Sequence, residues 1–183
     1  MRAVANILGR LSAGLNGIAL WGAVAAVLVM ALAGGYQVVA RYVFDAPPVW
    51  TEELARRAMV WAGMLGASCA FYQRVDPTLF PQMHKVPGGP GAVLALVRSF
   101  GVAVFALPVL YYSLFGPNFD LARGFLGRTI DRKAEMMGIS MAWFTAAIPV
   151  AFALILIHML AQLADSFAGA GEPAMPHTED RPE

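Results

Sequence analysis

Four stretches of this chain are each apolar over the roughly 20 residues that a helix needs to cross a lipid bilayer. They run from about Leu15 to Val39, Leu54 to Tyr72, Ala92 to Phe115, and Ile139 to Leu163. Hydrocarbon offers a backbone no hydrogen-bond partners, so such runs must satisfy their own amides as helices. The composition agrees, with 58% hydrophobic and 14% charged residues where a soluble domain has about 45–50% and about 25%. The expected fold is an all-α integral membrane protein with four transmembrane helices, occupying residues 1–168. Residues 169–183, GAGEPAMPHTEDRPE, are polar and rich in Pro and Gly, and read as a disordered tail.

Ahead of the first span, Arg2, Asn6 and Arg10 fall on one helical face and Val4, Ile7, Leu8 and Leu11 on others. That pattern suits an N-terminal interfacial helix, and equally a first helix that starts early. Ala31-Leu32-Ala33 before Gly34 imitates a signal-peptide cleavage site. The apolar run is too long for that reading, and three more spans follow it. DPTLFPQMHKVPGGPG joins the second and third spans as a loop. GPNFDLARGFLGRTIDRKAEMMG joins the third and fourth outside the hydrocarbon. No repeat of transporter type is visible. An even number of spans puts both termini on one side. Charge does not say which: six cations (Arg2, Arg10, Arg74, Lys85, Arg98, Arg181) fall on the side of the termini and seven on the other.

The residues exclude most chemistry. A net charge of +1 without basic runs excludes a nucleic-acid partner. The one cysteine, Cys69, excludes a disulfide framework and a cysteine metal cluster, and reads as a small buried residue. Haem ligation would need two facing histidines in the membrane. Of the three, His84 and His177 fall in loops and only His158 lies within a span. P-loop, HExxH and GxSxG motifs and paired intramembrane carboxylates are missing, so neither enzyme activity nor a cofactor or metal is expected. His158, near a helix end, reads as structural, reaching the interface or a backbone carbonyl. Arg98, near the start of its span, is expected to snorkel. Pro108 and Pro149 read as helix bends without ion sites, and Tyr111 and Tyr112 as interface anchors.

One charged segment stands out. WTEELARRAMVW, Trp50 to Trp61, puts Glu52, Glu53, Arg56 and Arg57 at the mouth of the second span. Pro47 and Pro48 bar a helix from continuing through them, and Thr51 is the expected N-cap. Both acids would lie in the first turn, each four residues ahead of an arginine, the favourable order. Gly63, Ala67 and Ala70 continue up the same side and would let another helix approach closely. Trp50 and Trp61 suit an aromatic belt.

The wider segment ARYVFDAPPVWTEELARRAMVWAGMLGA resembles the small permease subunit of tripartite ATP-independent periplasmic (TRAP) transporters. The resemblance rests on Arg41, Tyr42 and Phe44, then on Pro48, Trp50, Glu52, Glu53 and Arg56. GISMAWFTAAIPVAFALILIHML, with Pro149 in mid-helix, looks like the family's last helix, and RVDPTLFPQMHKVPGGPG departs from the family's more charged loop. The resemblance implies a bacterial inner-membrane protein with both termini, and so the 169–183 tail, in the cytoplasm. It implies a scaffold role beside a large membrane subunit that moves solute and sodium. A periplasmic solute-binding protein would deliver the solute, commonly a carboxylate. Membrane lipids are the remaining partner. On this reading Arg41, Trp50, Glu52, Glu53, Arg56, Arg57, Gly63 and Ala67 form a partner or lipid interface. The competing readings are a membrane-anchored assembly factor outside transport and a small homodimeric exporter.

Overall fold

In the computed structural model, residues 2–75, 88–116 and 119–169 are described. They are helical, without named strands. Helix α1 spans Arg2–Val43, α2 Trp50–Tyr72 and α3 Gly88–Leu114. Short helices α4, Gly127–Ile130, and α5, Ala142–Thr145, lie between α3 and α6, Ala147–Gly169. The 169–183 tail and the loop between α2 and α3 that carries His84 fall almost wholly outside the described residues.

Among the described residues, three helical segments are long and apolar enough to cross a membrane: Arg2–Val43, Gly91–Leu114 and Ala142–Ala168. The expected fourth, α2, does not reach that standard. Its four charges, together with the Gly, Ala and Ser residues that let helices pack, dilute its hydropathy. At the N-terminus no separate interfacial helix breaks off; Arg2 to Val43 is one helix of 42 residues. At about 1.5 Å per residue it is about 63 Å long, roughly twice the hydrocarbon thickness. Helix α1 is therefore longer than the apolar layer is thick.

Helices α1, α2 and α6 pack mutually, and α3 lies along α6. The α1–α2 contact is close. A Cβ on Gly22 would meet Leu65 Cδ1 at 2.9 Å, and the core there is Ala19, Leu65 and Cys69. Cys69 is buried, as its apolar run suggested. Large apolar side chains on α1 and α3 instead face outward, among them Trp21, Leu32, Val97 and Phe100. Exposure on this scale in helices is the mark of a surface made for lipid or protein.

Pro108 lies inside α3. Pro149 falls in the first turn of α6, just after the turn at Ala146 that separates α5 from α6, and within the helical segment Ala142–Ala168. Proline lacks the N–H that would bond four residues back, to Thr145, while the Ala146 and Val150 N–H groups keep their helical bonds on either side of the gap.

After α3 the chain folds back as a compact cap. The N–H groups of Phe125 and Leu126 donate to the Tyr112 and Ser113 carbonyls at 3.1 and 2.9 Å. Carbonyls at a helix end otherwise lack partners. Gly124 permits this approach, because a Cβ there would strike the Leu114 carbonyl. Tyr111, Phe115 and Phe119 cluster edge to face or tilted beside it.

Candidate functional site

The cap ends in a hairpin that delivers a donor to the mouth of α2. Lys133 and Ser140 pair across it. The Met141 N–H donates to Arg132 O at 2.7 Å, and the Ala134 N–H to Ile139 O at 2.8 Å. Gly138 closes the turn with φ of +68°, a left-handed conformation that costs other L-residues about 1–2 kcal/mol. Gly138→Ala should therefore lower the unfolding midpoint by a few degrees. Gly138→Asn should do less harm, since Asn tolerates that region better. Equal midpoints for wild type and Gly138→Ala would contradict this account of the turn.

The turn aims the Met136 N–H at Glu53, donating to Oε2 at 2.9 Å. Arg57 Nη2 donates to Oε1 at 3.2 Å. Glu53 is 6% exposed and lies just ahead of the apolar run from Leu54. The Met136 N–H is the main cause that holds its carboxyl below the usual carboxylate range; burial opposes this and Arg57 assists it. The Arg57 guanidinium also lies over the Phe144 ring, 5.5 Å from its centroid. Trp61 Nε1 donates to Trp143 O at 3.0 Å. One face of α2 is thus tied to the chain's own cap and to α5.

Thr51 is not the N-cap. Val49 holds that position without a side-chain bond, and the buried Thr51 hydroxyl donates back to Pro48 O at 2.7 Å. Proline at position 48 cannot donate through its nitrogen, but its carbonyl still accepts, and that fixes the entry into the helix.

Both expected ion pairs are present, with different surroundings. Glu52 and Arg56 are 3.6 Å apart with side chains 62% and 69% exposed, a geometry worth at most about 1 kcal/mol. Glu53 and Arg57 are the sheltered pair. Arg41, Trp50, Glu52, Arg56, Gly63 and Ala67 remain exposed. A Cβ on Gly63 would meet nothing within 4 Å, so none of this chain's described helices uses that close-approach surface. Trp50 stacks on Tyr36 of α1, with centroids 6.1 Å apart.

The opposite end of the bundle holds a network that the sequence does not announce. Arg98 does not simply snorkel: its Nη2 donates to Gln162 Oε1 at 2.5 Å. Gln162 Nε2 donates in turn to Phe71 O at 3.0 Å, capping the last carbonyls of α2 and joining α2, α3 and α6. Arg74 and Asp165 approach to 3.9 Å beside it. His158 is fully buried. It reaches neither the interface nor a backbone carbonyl; its Nδ1 pairs with Ser12 Oγ of α1 at 2.7 Å. Its ring also packs on Tyr72 at 5.2 Å. A serine on a long apolar helix gives no hint of its partner, since the two residues are far apart in sequence. No group of His, Cys, Asp and Glu that could hold a metal ion occurs among the described residues.

The family model described as "Tripartite ATP-independent periplasmic transporters, DctQ component" matches residues 30–169. No curated protein matches the chain.

Proposed function

The chain belongs to the DctQ-component family of TRAP transporters, and from that membership we propose that it is a non-catalytic scaffold subunit. Its partner is a large membrane subunit that imports a solute, a carboxylate, brought by a periplasmic binding protein. The protein crosses a bacterial inner membrane four times, α2 included, with both termini in the cytoplasm. In that setting α2 spans as part of a bundle rather than by its own hydropathy.

The arrangement of α3 carries the reading of a scaffold. Helices α1, α2 and α6 fill the space among themselves, and α3 extends the bundle sideways along α6. Four helices placed around a solute path would each have two neighbours and a shared polar centre. This layout instead gives a broad slab with apolar faces turned outward. The exposed Arg41, Trp50, Glu52 and Arg56 anchor its periplasmic rim against the large subunit or lipid headgroups. Gly63 and Ala67 form a strip beside them where another helix fits closely.

The test has two arms. Extracted in mild detergent, the chain should co-purify with a much larger membrane protein. Reconstituted alone in liposomes under an imposed ion gradient, it should move no solute. Uptake by the isolated chain would overturn the proposal and favour a self-sufficient exporter.

A further inference from the structure

We propose that the bundle interior contains a hydration site, where one ordered water molecule joins α1, α2 and α6 through Asn16, Ser68 and His158. Three buried polar atoms lack a hydrogen-bond partner among the described residues: Asn16 Oδ1, Ser68 Oγ and His158 Nε2. They belong to three different helices, and the contacts around them put them at one level of the bundle. Ser12, one turn before Asn16, bonds the other imidazole nitrogen of His158 at 2.7 Å. Tyr72, one turn after Ser68, packs its ring on His158 at 5.2 Å. Cys69, the neighbour of Ser68, brings Sγ to 4.0 Å from the Asn16 carbonyl. One turn before His158, Leu154 packs on the Ala19, Leu65 and Cys69 core, which closes the site on that side.

The three atoms match the valence of water. Asn16 Oδ1 only accepts, the Ser68 hydroxyl does either, and His158 Nε2 does either according to its tautomer. Suppose the Ser12 hydroxyl donates to Nδ1. Nε2 then carries the hydrogen and donates to the water, which donates to Asn16 Oδ1 and shares its remaining valences with Ser68. If Nδ1–H donates to Ser12, the water donates to both Nε2 and Asn16 and accepts from Ser68. In either case every group is satisfied by one molecule making about three hydrogen bonds, the usual number for a buried water. Without it, three desolvated polar atoms would be left unpaired between packed helices, each a substantial penalty. This inference rests on the packing of the bundle and stands whether or not the chain is a transporter scaffold.

A double-substitution cycle on the full chain, purified in mild detergent with any subunit it retains, tests the site. Asn16→Ala and Ser68→Ala should each lower the unfolding midpoint by several degrees. The double variant should be little worse than the more damaging single one, because either change already releases the shared water. Additive losses, or singles indistinguishable from wild type, would overturn the proposal. A density map fine enough to show ordered solvent gives an independent reading. It should show a peak within about 3 Å of all three atoms. Direct bonds among the three side chains, or a site without solvent density, would also overturn it.

Discussion

Glu53→Ala lowers the unfolding midpoint of the purified protein by more than any other single charge removal at the mouth of α2, and on the scaffold reading it also lowers the yield of the complex with the large subunit. The carboxylate has two jobs at once, accepting from the Met136 N–H and from Arg57. Its loss strands a backbone donor of the cap and leaves Arg57 with its contact to the Phe144 ring. Removing one partner of a sheltered charge pair costs more than the pair itself contributes. Glu52→Ala is the control, since its pair is exposed and its loss should barely register. Glu53→Gln separates charge from shape. The folded carboxyl titrates below its ordinary value of 4.5, so the anion's contribution is complete above that value. It fades as the pH falls from there through the folded-state pKa, because the unfolded chain takes up the proton first. The Gln variant should lose that part of the wild type's acid sensitivity. Unchanged midpoint and complex yield in Glu53→Ala would show that the cap is held by its other contacts.

His158→Ala destabilises the bundle by about 3 kcal/mol, combining a cavity with an orphaned Ser12 hydroxyl. The imidazole is fully buried and bonded to Ser12, so nothing can collapse cheaply into its place. On the scaffold reading, complex assembly and solute uptake should fall together, in proportion to the protein that remains folded. His158→Gln, which keeps a polar atom near Ser12, should retain more of both. A variant at this position that assembled fully but no longer supported uptake would instead give His158 a part in transport.

The mouth of α2 was half legible from residue spacing. Both Glu–Arg pairs follow from the four-residue rule, and the Trp and Pro positions mark where the helix begins. What spacing could not distinguish was the pair that would be sheltered. Adjacent acids point about 100° apart on a helix, and a loop more than eighty residues later covers only one of them. Thr51 is not the cap for a related reason: a cap is a backbone geometry, and Thr51 lies inside the first turn. The covering hairpin depends on Gly138 with its φ of +68°, which nothing local in the sequence sets apart from the chain's other glycines.

Hydropathy alone determined that this chain is helical and belongs in a membrane, because apolar runs of that length leave the backbone no other way to satisfy its amides. The sequence also marked α2 as the apolar helix whose entry carries charge. Which surfaces α2 gives to its own chain, which it leaves outward, and that Ser12 meets His158 were decided only by the tertiary structure. Those outcomes depend on the relative rotation and height of packed helices, which contacts distant in sequence determine and no local period encodes.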